Sequence, residues 1–447
     1  MWQRRLSITL FTLAALACSL LAVPSFADSQ ARIVRLSDVE GDVQIDRNSG
    51  QGYEKAFLNL PITQGAKLRA NDDGRAEVEF EDGSTVRITP GTVVEFPRLA
   101  LRDSGARAST VDLREGTAYV NFTGTKNDEF TLTFGHEKLA LTHAAHLRAE
   151  MRDTDATLAV FKGDVQVEGP SGAFEVGKKQ SATFDLADQD RYTLASNLEQ
   201  DPYDSWDKQQ EQYHQRYTSN SLYNGYSPYA YGMSDLNYYG SYFYAPGYGM
   251  CWQPYFTGLG WDPFMNGAWM WYPGFGYTWV SAYPWGWMPY RYGSWLFLPG
   301  YGWAWQPGSS SSWAGWNTIP RVVNPPRSFT PPQPPAGPGK TIVVNRGPIT
   351  PPSVSRSRLI IRNDSAGLGI PRGGVRNLGR ISQEVKAEGS ATATVHTAPV
   401  RSLAPMSPTS PRVRGPSGGF SPRMSTPAAA PHSAPAAHSG TSHGSPH

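Results

Sequence analysis

Cysteine is nearly absent from this chain: 447 residues carry two, Cys18 and Cys251. With the N-terminal segment removed Cys251 stands alone, no intramolecular disulfide can form, and stability has to come from packing. Charge is sparse as well, with 17% Asp, Glu, Lys and Arg and a formal net charge of +2. No Ser/His/Asp set with motif support, no phosphate-cradling glycine loop and no Cys-x-x-Cys is present, so the common signatures of hydrolases, nucleotide enzymes and thiol redox proteins are missing. The expectation is a protein without catalytic residues, metal or cofactor. What the chain has in excess is 45 Gly and 37 Pro, residues of turn and coil, so long stretches need not pack.

Arg4 and Arg5 precede an uncharged, mostly apolar run from Leu6 to Val23, and Ser25-Phe26-Ala27 puts small residues at −3 and −1 of a cleavage site before Asp28. That is the pattern of a signal peptide over residues 1–27, and it sends the mature chain to the periplasm, the outer surface or the medium. Left uncleaved, the same run has about the length of a membrane anchor. Farther on the charge is uneven: residues 32–200 lean acidic, whereas from Pro320 onward fifteen Lys and Arg face only Asp364, Glu384 and Glu388.

Residues 32–190 read as short alternating strands divided by Gly, Asp and Asn, stacked in a sandwich, roll or short solenoid. In Arg75 to Ile88, Ala76, Val78 and Phe80 face one way and Glu77, Glu79 and Glu81 the other. A three-residue loop, Glu81-Asp82-Gly83 with Gly83 left-handed, pairs Val78 with Val86, Ala76 with Ile88 and Glu77 with Arg87. The glutamates are expected on a solvated face, where the Glu77–Arg87 pair adds only roughly 0.2–1 kcal/mol. His143 and His146 fall on opposite faces of a strand, which argues for ordinary histidines over metal ligands.

This segment resembles the FecR domain family. The resemblance rests on Gly41 to Ile45, Leu60 to Leu68, Leu113 to Gly116, Phe161 to Val165 and above all Ala76 to Ile88. It implies an extracytoplasmic all-β domain over about residues 33–185. FecR regulators relay a surface signal through a membrane helix to a cytoplasmic anti-sigma segment. Here only Met1 to Arg5 precede the apolar run, so fold and location are expected to carry over, with signalling as the alternative.

Asp201 to Tyr217 is the best helix candidate, a connector over 201–218 with Asp204 as cap and Trp206, Gln210, Tyr213 and Tyr217 on one side. From 235 to 307 the chain repeats itself: GSYFYAPGYGMCW from Gly240, GAWMWYPGFGYTW from Gly267 and GSWLFLPGYGWAW from Gly293, spaced by 27 and then 26 residues. Each Pro-Gly presets a type II turn between two short strands, and the period of two puts the rings on one face. Hairpins this short cannot stand alone, so most rings are expected to form a core. Trp285, Trp287, Tyr290 and Tyr292, between hairpins, are left as candidate platforms for a sugar or other flat ligand. Nucleic acid is not expected, because Arg291 is the only basic side chain in the repeats and a phosphate-binding groove needs several.

The repeats resemble an uncharacterised Tyr/Trp/Pro/Gly-rich family of bacterial exported proteins, often found behind a FecR domain, through Asp204-Ser205-Trp206, Ser234 to Gly240, Trp279 to Ala282 and Pro284 to Gly293. Residues 308–447, rich in Pro, Ser, Arg and Ala, are expected to be disordered, with the apolar islands Thr341–Val344 and Leu359–Ile361 as coil rather than added strands. The whole chain reads as mainly β: an exported, non-catalytic binding or structural protein of the cell envelope, its partner an envelope polysaccharide or an envelope protein. The alternatives are a FecR-related sensing component on an uncleaved anchor, and a polysaccharide binder acting through its aromatic platforms.

Overall fold

The computed structural model describes residues 32–102, 104–125, 128–188, 191–218, 229–308, 316–345 and 358–396; the signal-peptide segment lies outside them. The chain is mainly β. Seventeen strands of its first part join in one wrapped array, whose spine is the 16-residue strand Arg107–Phe122. The first half of that strand pairs with Thr92–Leu101 and, in parallel, with Glu129–Phe134; the second half pairs with Thr85–Ile88 and Ala145–Met151. Partners change at Gly116, where φ is +82° and a Cβ would lie 2.5 Å from the carbonyl oxygen of Gly91. A residue without a side chain is what lets the strand turn there. Inside lies an aliphatic core that includes Leu36, Ile45, Val78, Val120, Leu132 and Leu158, the inward half of each alternating pattern. The hairpin at Gly83 has the register the alternation predicts: Ala76 opposite Ile88, Glu77 opposite Arg87, Val78 opposite Val86.

Helix α1, Asp204–Thr218, buries Trp206, Asp207, Gln210 and Tyr213. Asp204 serves the domain beneath: its carboxylate accepts hydrogen bonds from Tyr119 Oη at 2.9 Å and Arg148 Nη1 at 2.6 Å. A short helix α2, Met233–Tyr239, then leads into three hairpins, Gly240–Ala245 with Gly249–Pro254, Asn266–Tyr272 with Gly276–Ser281, and Ser294–Leu298 with Gly302–Gln306. In each, the amide two residues after Pro donates back across the Pro-Gly pair, to Ala245, Tyr272 or Leu298, with Gly247, Gly274 and Gly300 at φ of +80°, +79° and +79°. The first and last positions of the repeat form one packing unit. A Cβ on Gly267 would lie 2.5 Å from Cζ2 of Trp279 and one on Gly240 2.3 Å from Cζ2 of Trp252, whereas one on Gly293 would first meet the carbonyl oxygen of Gln306, at 2.2 Å, and then Trp305 Nε1, at 2.8 Å.

Residues 316–345 and 358–396 depart from the disorder expected of the composition after 308; the rest of that expected tail lies outside the described residues. Ile342–Asn345 adds an antiparallel strand to Asn266–Tyr272, Arg321–Val323 runs parallel to Ser294–Leu298, and Arg358–Arg362 pairs with Ser390–Thr394. Helix α3, Leu378–Glu388, carries Leu378, Ile381 and Val385 into the aromatic core, which Leu359 and Ile361 also enter. The cause is that three short hairpins leave strand edges and ring faces open, and these apolar islands cover them. No helix among the described residues is long and apolar enough to cross a membrane.

Candidate functional site

The four connector rings are not at the surface: Trp285 and Trp287 are 0% exposed, Tyr290 1% and Tyr292 6%. Trp285 stands at the centre of the aromatic core, 5.0 Å from Tyr283 and stacked on it at 6°, 5.0 Å from Trp252 and 5.9 Å from Trp295. Its Nε1 donates to the carbonyl of Ala366 at 2.7 Å. Trp287 lies under Arg291 and edge-on to Tyr231, Tyr290 packs on Phe264, and Tyr292 on Tyr229. Rings so enclosed cannot stack on a ligand. They are core rather than platforms, filling the space that the hairpins enclose. Rings that do reach solvent sit near the hairpin tips, Tyr244 and Tyr301 among them.

Glu77, Glu79 and Glu81, expected in water, are buried. Their face is covered by α1, by α2 and by a strap of residues 366–375, and every one of them meets an arginine. Glu81 pairs with Arg32 at 2.8 Å, Glu79 with Arg35 at 3.1 Å, and Glu77 with both Arg87 at 2.7 Å and Arg372 at 2.6 Å. Asp235 of α2 takes Arg35 at 2.6 Å and Arg372 at 3.1 Å, Asp207 of α1 takes Arg87 at 2.7 Å, and His214 Nε2 lies 2.9 Å from Glu77. Burial opposes the charge on Glu77, but His214, Arg372 and Arg87 hold its carboxyl well below the ordinary range. Burial opposes Asp235 too, and Arg372 and Arg35 hold it low. At Glu79 burial wins over Arg35 and lifts the carboxyl. Arg372 is 295 residues from Glu77 in sequence. It joins the strap to both folded parts, bonding the carbonyl of Ser37 at 2.7 Å and lying over the Tyr213 ring.

Beside this cluster is a cavity of about 380 Å³ between the strand Val34–Glu40, α1, α2 and the strap. Leu58, Trp206 and Ile370 line its apolar side, Asp38, Asp235 and Arg372 its polar side. The backbone of Asp38 is paired with Glu77 in the strand ladder, but its side chain makes no hydrogen bond or ion pair with any other described residue. Burial and the neighbouring Glu40 push its carboxyl up to about 7, against the pull of Arg372. Sequence reasoning missed Asp38, Asp235 and Arg372. The available signals were an acid interrupting the strand before Gly41, the Ser234-Asp235-Leu236 motif, and a lone arginine between Pro371 and Gly373. Elsewhere His146 lies 2.8 Å from Asp207 and His143 is exposed. Among the described residues no group of three or more His, Cys, Asp or Glu is placed to hold a metal.

Residues 66–166 match the family described as FecR protein, and residues 233–325 match a family of unknown function, DUF6600. No curated protein matches the chain. The chain is also similar to two crystal structures, at 1.65 and 2.50 Å, of a candidate anti-sigma factor from Parabacteroides distasonis ATCC 8503, with 18% and 17% identity and a TM-score of 0.27 in each. The match covers 31% of this chain and 63% of those chains, less than two thirds of their length. The buried charge cluster is thus the seam between the two matched segments, Glu77 and Glu79 coming from one and Asp235 from the other. The chain carries a FecR domain followed by a domain of the DUF6600 family.

Proposed function

We propose that this is an exported, non-catalytic component of a FecR-related regulatory system at the bacterial envelope, in which the FecR domain and the aromatic domain sense as one body. The FecR match supports the regulatory class. The observation that carries the one-body reading is Arg372, held between Glu77 of one domain and Asp235 of the other. Interfaces between domains of one chain are ordinarily small, polar and mobile. Fully buried and matched charges instead make separation costly, since parting them strands a charge in a dry site. Export is supported by Arg4-Arg5, the apolar run and Ser25-Phe26-Ala27. The burial of Trp285, Trp287, Tyr290 and Tyr292 removes the support for a polysaccharide platform.

Deletion of the gene in its source bacterium, followed by RNA sequencing, tests the role. A regulatory component changes a discrete set of transcripts, which the intact chain restores and an Arg372→Ala chain does not. Unchanged transcription beside a leaky or misshapen envelope would overturn it and leave a structural role. N-terminal sequencing of the protein recovered from cells, with a start at Asp28 expected, tests the export step.

A further inference from the structure

We infer that the cavity at the domain seam binds a small organic cation, an ammonium carried on an apolar body, with Asp38 as its counter-ion. This deepens the sensing role proposed above by giving the chemistry of what is sensed. A volume of about 380 Å³ is within the range of small-molecule sites, and the wall is divided as an amphipathic ligand requires. Leu58, Val39, Pro284 and Ile370 offer apolar surface.

The charges on the wall decide the sign of the ligand. Arg75 pairs with Glu40 and lies over Trp206. Arg372 is engaged by Glu77, Asp235 and the carbonyl of Ser37, and Asp235 has Arg35 as well. Both cations on the wall are therefore committed, and an anion entering would find no free partner. Asp38 is the acid left over. It is faced by Glu40 on its own strand, Arg75 and Glu77 on the neighbouring strand, Asp235 on α2 and Arg372 on the strap. Burial first, and then more acid than base around it, leave Asp38 holding a proton near neutrality, which an ammonium would displace.

Calorimetric titration of the full chain with phenethylamine, tryptamine and agmatine, against 2-phenylethanol and 3-phenylpropionate, tests this. At least one amine is expected to bind at pH 8, with affinity falling about tenfold for each unit below pH 7 as Asp38 protonates, and the neutral and anionic analogues are expected not to bind. Near pH 6.5 binding should release protons, read as a difference in heat between phosphate and Tris buffers; this needs no variant. Asp38→Asn should lose at least tenfold in affinity with its circular dichroism unchanged. Failure of all three amines on folded protein, equal binding by Asp38→Asn, absence of proton release, or preference for the carboxylate would each overturn the assignment. The titration uses purified protein, so its failure leaves the transcript test standing, and the reverse holds too.

Discussion

The FecR domain and the aromatic domain bury their apolar surface in opposite ways. The first draws nearly all of its core from its own alternating strands, aliphatic side chains interleaved across a continuous ladder. The second has rings in abundance but only three hairpins to hold them, and a large ring has two faces to cover. Its core is completed from outside: Ile33 comes from the edge of the FecR domain, Tyr213 from α1, and Leu359, Val375 and Val385 from the far segment. Local strand pairing builds one domain, whereas long-range pieces close the other.

If so, damage at the centre of the aromatic core should leave the aliphatic core standing. Trp285→Ala should cost about 4 kcal/mol in the aromatic domain, seen as an early tryptophan-fluorescence transition in guanidinium while the β signal in the far ultraviolet persists to higher denaturant. Coincident loss of both signals would break the comparison and mean one cooperative unit. Next in size is the clamp. Arg372→Ala should cost about 3 kcal/mol, the low end for breaking a buried pair, because Glu77 keeps Arg87 and His214 and Asp235 keeps Arg35. A denaturation midpoint unmoved by this change would mean that the apolar side chains of the strap, not its arginine, join the domains.

What could be read from sequence divides along the same line. The pairing of Glu77 with Arg87 and the Pro-Gly turns are set by neighbours in the chain, so period and turn chemistry predict them. Alternation says which residues share a face, not what covers it. The partners of Glu77 lie on α1 and 295 residues away at Arg372, and no local pattern connects them. Trp285 and Trp287 read the same whether exposed or enclosed, because a ring's burial depends on how the hairpins meet. In the far segment, Pro and Ser dominate the average and mask Leu359-Ile360-Ile361 and the apolar stripe of α3, which suffice to dock once a surface is offered.

The seam should also show in acid. Asp38, lifted from an ordinary 3.8 to about 7, binds a proton in the folded chain across that window while the unfolded chain has lost it, so its share of stability falls as pH rises through that whole window, and Glu79, lifted as well, acts with the same sign. Glu77 and Asp235, held low, act with the opposite sign: their contribution is present above the unfolded carboxylate range and is lost as pH falls through their folded values. Urea midpoints should therefore peak in mild acid, and Asp38→Asn should flatten the slope between pH 5 and 7.5 while keeping the loss at lower pH. A slope unchanged in that variant would place the titrating group elsewhere.

The smallest expected effect is the one that separates turn from packing within a single repeat. At Gly247 a Cβ would meet nothing within 4 Å, yet φ is +80°; Gly247→Ala therefore carries only the left-handed backbone penalty, about 1 kcal/mol. At Gly267 the same added carbon strikes the Trp279 ring and the carbonyl oxygen of Val280, and it can be relieved only by moving a core tryptophan and the paired strand together. Gly267→Ala should thus cost more than Gly247→Ala in urea denaturation, although both glycines hold fixed places in the repeat. Equal costs would mean that the opening glycine serves the backbone and not the tryptophan that closes each repeat, and the aromatic domain would then be built by local turns after all.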